Sequence, residues 1–431
     1  MKKLRYLLLS LIVITCMVLS ACSGGGNSTS GKKGGIGGEI TIWGWDVAAK
    51  SLQDAVKGFN KKYPDVKVKV QNYSASEVYD KLTVGLQARG KGLPDIVMLE
   101  DGEFPSYTNE FPDGFVNLSK LGYDKYADIF SSSKIAELKN SKGDLLAAPW
   151  DIGPAGVFYR VDLFKKAGVN PDSIKTWKDY IEGGKKIQAK TGAKMLPIDI
   201  SNSTEIYEMM LQEQGIMYTD KKGKVMLTSD KAQKAMNVLK ELNDNKLIDN
   251  VSGWNGLVTA TVNGSVATVP YGVWYSGSIK DQAPKLKGKW GVFYLPAFEG
   301  SKGRFANSGG SSLLIPSSSD NQKTAYAFLK YFTTNKDVQM EAFKDYGLFP
   351  SLLETYNDPY FDKKSPFFNN QKVYRLFADE VEKVPAVNVT ANYKRSSKFV
   401  ADAQAAILIR HKSVKKGLTQ AAEQMKNITS R

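Results

Sequence analysis

Between residues 39 and 99 the chain switches repeatedly between the two-residue period of a strand and the 3.6-residue period of a helix, and this alternation constrains the fold more than any other feature. Residues 39–43 alternate as a strand. Ala48, Leu52, Ala55, Val56 and Phe59 then share one helical face, which Tyr63-Pro64-Asp65 closes. Val66, Val68 and Val70 alternate again, and Val78, Leu82 and Leu86 recur every four residues. Leu93-Pro94-Asp95 leads into a third strand at residues 96–99. Strand–helix–strand–helix–strand predicts a parallel, doubly wound α/β sheet. Ligands of open α/β sheets lie beyond the carboxyl ends of the strands. On this pattern Trp43, Trp45 and Asp46 follow the first strand and Glu100 and Asp101 follow the third, so two indoles and three carboxylates are expected at one rim.

A second region begins near Pro149. Helical patterns cover residues 177–188, 206–214 and 232–242, and strands are expected at residues 265–269 and 290–295. The first of these strands runs into Tyr271-Gly-Val-Trp274. Gly309-Gly310 opens another strand that ends at Pro316. The remainder is mostly helical, with an amphipathic segment from Phe399 and no tandem repeat.

The first residues read as an export signal. Lys2, Lys3 and Arg5 precede an apolar run, residues 7–19, that is too short to span a bilayer. Leu19-Ser20-Ala21-Cys22 resembles the lipobox of bacterial lipoproteins, which implies a lipid on Cys22 and a membrane-anchored mature chain. The chain has two cysteines and Cys16 lies in the apolar run, so the mature fold has neither an internal disulfide nor a catalytic thiol. Residues 23–38, rich in Gly, Ser and Lys, read as a flexible tether. The formal net charge is +15. Its lysines are dispersed among acidic and apolar residues, a pattern of solubility and attraction to an anionic cell surface rather than of nucleic-acid binding.

Several chemistries are disfavoured. Ser131-Ser-Ser-Lys134, Lys190-Thr-Gly192 and Ser319-Asp-Asn321 match penicillin-binding-protein motifs in the wrong order, and Ser-x-x-Lys recurs at Ser30 and Ser413. There is no nucleophile elbow, P-loop or dinucleotide fingerprint, so no cofactor is expected. With His411 the only histidine, a His-dependent triad or zinc site is disfavoured and no metal is expected. The aromatic set is more informative. Trp43, Trp45, Trp150, Trp254, Tyr271 and Trp274 fall at expected strand ends or in loops. Flat rings cover the C–H face of a sugar while neighbouring carboxylates accept its hydroxyls.

Pro149-Trp-Asp-Ile-Gly-Pro-Ala-Gly-Val-Phe-Tyr159-Arg-Val-Asp-Leu-Phe164-Lys-Lys-Ala-Gly168 resembles a signature of the family 1 extracellular solute-binding proteins of ABC importers. Gly156, Val157, Phe158, Tyr159 and Phe164 match; Arg160 stands where the family has Asn or Asp. Asn60-Lys-Lys-Tyr-Pro64, Leu93-Pro-Asp-Ile96, Asn263-Gly-Ser-Val-Ala-Thr268, Gly309-Gly310 and Gly347-Leu-Phe-Pro350 extend the resemblance over nearly the whole mature chain.

The resemblance implies an α/β fold of two lobes, each with a mainly parallel sheet, joined by three crossings near residues 148–151, 304–307 and 349–353. Lobe one is expected over 39–148 plus 307–350, and lobe two over 149–306 plus 351–431, behind a signal peptide (1–21) and a lipidated tether (22–38). It also implies a monomer that captures a carbohydrate in the interlobe cleft, closes on it, and is read by the permease subunits; six candidate aromatics suit an oligosaccharide of more than one ring. Such a protein would sit on the outer face of a single-membrane cell. Trp274 matches the family's stacking tryptophan, Trp150 and Asp151 fall at the first crossing, Gly310 at a later one, and Tyr393 near the end is the candidate for a further family aromatic. Two readings stay open beside it: a surface glycosidase, which needs only two suitably spaced carboxylates, and the same fold holding a non-sugar such as a polyamine, peptide or metal chelate.

Overall fold

The computed structural model describes residues 35–429 except 141, 221, 302 and 391. The expected signal segment, Cys22 and the tether as far as residue 34 lie outside the described residues.

The first lobe is built as its periodicity dictates. β1 (Gly38–Trp45) lies parallel to β2 (Val66–Tyr73) and β3 (Ile96–Glu100). The helix Asp46–Lys62 buries Ala48, Leu52, Ala55, Val56 and Phe59, its expected apolar face. The helix Ala75–Gln87 starts at a capping box: Glu77 N–H donates to Ser74 Oγ at 3.3 Å and Ser74 N–H to Glu77 Oε2 at 2.8 Å. The full sheet order is β2-β1-β3-β10-β4, with β10 (Ser311–Leu314) antiparallel to both β3 and β4 (Ala148–Pro149). A strand from far along the chain thus sits inside the sheet of the first lobe.

The second lobe departs from the mainly parallel sheet expected for it. β5 (Ala155–Arg160) runs antiparallel to β8 (Thr268–Gly272) on one side and to β9 (Trp290–Tyr294) on the other. The cause is the direction of entry. Ala155, where the chain arrives from the first lobe, pairs with Gly272, and Gly156 pairs with Tyr294. The chain leaves the crossing on β5 and returns toward it on β8 and β9. Among the described residues, parallel pairing in this lobe joins β6 (Leu196–Ile198) to β7 (Ile248–Asn250) and otherwise occurs only as the single bridges of Lys194 with Val266 and of Thr176 with Ala297. The helices Tyr393–Leu408 and Val414–Thr429 return to cover the core of this lobe, burying Val400, Ile407, Leu418 and Met425. Arg160 closes the far end of β5, forking Asp162 at 2.8 and 2.9 Å, and so lies away from the crossings.

Three segments pass between the lobes side by side. Asp151 bridges Pro350 and Pro154 bridges Asn307. Ile152 N–H donates to Phe349 O at 2.9 Å and Ser308 N–H to Gly153 O at 2.7 Å. The first crossing therefore lies between the other two.

Candidate functional site

Between the lobes lies a cleft of about 1230 Å³. Lobe one lines it with the end of β3 and the segment after it, residues 100–105, together with Glu137. Lobe two contributes residues 202–205, Glu208, Trp274 and Tyr393, and the second crossing supplies residues 307–310. The ends of β3 and β6 both open here, as expected for ligand sites in α/β sheets.

Hydroxyl donors hold the cleft carboxylates in place. Tyr393 Oη donates to Glu208 Oε2 at 2.7 Å and Thr204 Oγ1 to Glu208 Oε1 at 2.6 Å, while the Tyr218 hydroxyl donates to Glu208 as well. The Tyr218 and Tyr393 rings stack at 6.0 Å. Glu205 accepts from Ser308 and from Tyr271, yet burial still pushes it up to about 7. Glu100 accepts from Tyr79 Oη at 2.7 Å and burial also raises it. Burial pushes Glu137 up to about 8. The Trp274 indole N–H donates to Ser308 O at 2.9 Å, which fixes the ring at the second crossing.

Beneath the cleft floor a buried cation ties two crossings together. Lys134, 1 % exposed, pairs with Asp101 and donates to Asp151 O at 2.7 Å and Ser311 O at 2.8 Å. Asp101 also accepts from Ser312 Oγ at 2.6 Å, and Asp151 Oδ1 accepts from Ser311 N–H at 2.6 Å. Burial pushes Asp151 up to about 6, with Lys134 pulling the other way. Gly310 runs through this knot at φ +119°, where an added Cβ would stand 2.7 Å from Asp101 Oδ2. Only glycine fits there.

The model of the bacterial extracellular solute-binding protein family matches residues 54–369. The chain belongs to that family. A lactose-binding protein of Rhizobium radiobacter is 31% identical to this solute-binding protein over 361 residues, which cover 81% of this chain and 84% of the relative. An arabinooligosaccharide-binding protein of Bacillus subtilis is 28% identical over 442 residues, covering 99% of this chain and 100% of the relative. Among solved structures, an ABC-transporter-associated binding protein of B. animalis subsp. lactis, in complex with β-1,6-galactobiose, is 25% identical with a TM-score of 0.72, over 90% of this chain and 96% of that one.

Of the residues expected at the site of this solute-binding protein, Glu100, Asp101, Trp274, Gly310 and Tyr393 line the cleft. Two others stand behind Trp274: Trp254 stacks on it at 5.8 Å and 29°, and Tyr271 meets it edge-on at 5.1 Å. The rest are placed elsewhere. β1 runs on to Trp45, so Trp43 and Trp45 are still inside the strand and pack in the core of the first lobe. Trp43 Nε1 donates to Gln71 at 2.7 Å, and Trp45 packs on Tyr79 at 5.8 Å. Asp46 becomes the first residue of the following helix, outside the cleft lining. Trp150 is 1 % exposed and lies edge-on to Phe332 at 4.8 Å. Asp151 serves the crossings rather than the cleft surface.

Sequence reasoning missed Glu205, Glu208, Glu137 and Ser308. The signal for the first two was present: Leu196-Pro-Ile198 is a strand, and the polar run Asp199-Ile-Ser-Asn-Ser-Thr204 follows its carboxyl end directly into the helix Glu205–Gln212.

Proposed function

We propose that this solute-binding protein captures an oligosaccharide in the interlobe cleft and delivers it, unchanged, to the permease subunits of an ABC importer. The observation that carries this reading is the pairing in one cleft of aromatic rings, Trp274 and Tyr393, with carboxylates held in place by hydroxyls, Glu205 and Glu208. A ring covers the C–H face of a pyranose or furanose, and the carboxylates accept its hydroxyls. The sugars named for the relatives and for the complexed neighbour support the same class. A ligand that touches both lobes at once binds the closed form better and so shifts the population toward the form that the permease reads.

In this reading Cys22 carries the lipid, and the anchor keeps the cleft near its transporter at high effective concentration. Replacing Cys22 with Ala is expected to release the protein into the medium, as followed by immunoblot of cells and supernatant. Titration with mono- and oligosaccharides, followed by tryptophan fluorescence, is expected to give saturable binding, and chromatography of the recovered sugar to show no cleavage. Silence across a broad panel, or released monosaccharide, would overturn the proposal.

A further inference from the structure

We infer that the cleft selects by charge, admitting oligosaccharides whose units carry hydroxyl groups alone and rejecting those that carry a uronic acid carboxylate. The inference rests on the oligosaccharide reading and narrows its substrate class.

Although the chain has a formal net charge of +15, its cleft is lined, among the described residues, by seven carboxylates and two lysines. Two of the carboxylates have cationic partners: Asp101 pairs with the buried Lys134, and Glu103 with Lys394 at 3.4 Å. Glu100, Glu137, Glu205 and Glu208 take part in no ion pair among the described residues. Glu100, Glu205 and Glu208 accept hydrogen bonds from neutral hydroxyls instead. The two lining lysines, Lys139 and Lys142, stand exposed on the hairpin of residues 139–145 at the edge of lobe one.

Of the four unpaired carboxylates, Glu137, Glu205 and Glu208 are partly buried in the walls, and Glu100 stands exposed at the end of β3. Burial pushes Glu137 up to about 8 and Glu205 up to about 7, the direction expected where poorly solvated walls disfavour negative charge. A ligand carboxylate would enter that field with no free guanidinium or buried ammonium among the described residues of the lining to receive it. A sugar hydroxyl does the opposite, donating to a carboxylate as the neighbouring tyrosine, threonine and serine hydroxyls already do. Acceptors outnumbering cations is therefore a rule of exclusion as much as of binding, and juxtaposed like charge is an effective means of rejecting a wrong partner.

The test compares lactose, β-1,6-galactobiose and arabinotriose with three derivatives in which a terminal primary alcohol has been oxidised to a carboxylate, and with the methyl esters of those acids. Dissociation constants are measured by calorimetry on the full mature chain at pH 7.5 and low ionic strength. For each sugar that binds, the acid is expected to bind on the order of tenfold more weakly or worse, and its neutral ester to recover most of the loss. Added salt is expected to narrow the gap. Glu205→Gln and Glu208→Gln are expected to narrow it too, by favouring the acid more than the parent sugar. Equal affinity for parent and acid would overturn the charge rule and leave the oligosaccharide reading standing. Ester and acid equally weak would assign the loss to shape and overturn the rule in the same way. Failure of every parent sugar and derivative to bind would overturn both.

Discussion

Trp45 and Trp274 both stand near the end of a strand that points at the cleft, yet only Trp274 reaches it. In lobe one β1 is flanked on both sides by parallel neighbours and its residues continue in register to Trp45, so the indole is drawn into the core beside Tyr79. In lobe two β8 stops at Gly272, and Val273 turns the chain so that Trp274 stands at the start of a short helix with its indole N–H on the second crossing. The lobes consequently contribute unequally. Lobe one offers Glu100 and Glu137 at strand and helix ends, while lobe two offers both the carboxylates of Glu205 and Glu208 and rings backed by Trp254 and Tyr271. A strand end becomes a site only where the ladder stops before the side chain that matters.

That contrast can be broken at several points. The largest effect is expected at the knot beneath lobe one. Lys134→Met leaves the Asp101 carboxylate buried without its cation, and removing one partner of a buried pair costs about 3–5 kcal/mol. Urea unfolding should show this loss, and the companion Asp101→Leu should recover part of it. Next comes lobe two, where Trp274→Ala should weaken sugar binding by about 1–3 kcal/mol through lost aromatic contact. The same change at Trp45 should lower the melting temperature, with a much smaller effect on affinity in whatever protein remains folded. An unchanged dissociation constant for Trp274→Ala would erase the distinction between the lobes.

A smaller effect concerns pH. Glu137, Glu205 and Asp151 have folded values raised to about 8, 7 and 6. For a carboxyl raised on folding, the folded chain holds the proton more tightly than the unfolded chain. Its contribution to stability is therefore present at low pH and is lost as pH rises from the ordinary carboxylate range to the folded value. The melting temperature is expected to decline between about pH 5 and pH 8, and Glu137→Gln to flatten the upper part of that decline. The smallest effect is at the cleft rim. Lys394, 74% exposed, pairs with Glu103 across the lobes, and Lys394→Ala should change stability by less than about 1 kcal/mol.

Much of the first lobe was legible because both of its periods are long and clean: five spaced apolar residues between Ala48 and Phe59, and three alternating valines in β2. β6 was not, because three residues containing a proline carry no period, and with it went the acids that follow. Trp150 was misplaced for another reason. Indole is equally at home in a core and in a site, and only the packing against Phe332 distinguishes them. The Ser-x-x-Lys at Ser131 looked like noise as a catalytic motif. Its lysine turned out to be the buried cation of the crossings, a role no local pattern announces because its partners come from three distant segments.

The position of β10 between β3 and β4 has a consequence for how the chain comes together in time. β3 cannot satisfy its outer edge until residues 311–314 arrive, more than two hundred positions after it. Lobe two waits longer still, for the helices Tyr393–Leu408 and Val414–Thr429 that cover its core. Closing such long loops must precede the contacts that reward it, which makes folding slow. A chain emerging from its amino end can therefore lock neither lobe before nearly all of it has appeared. For a member of an extracellular family, whose chain must cross a membrane before it works, late locking keeps the polypeptide threadable until the journey is over.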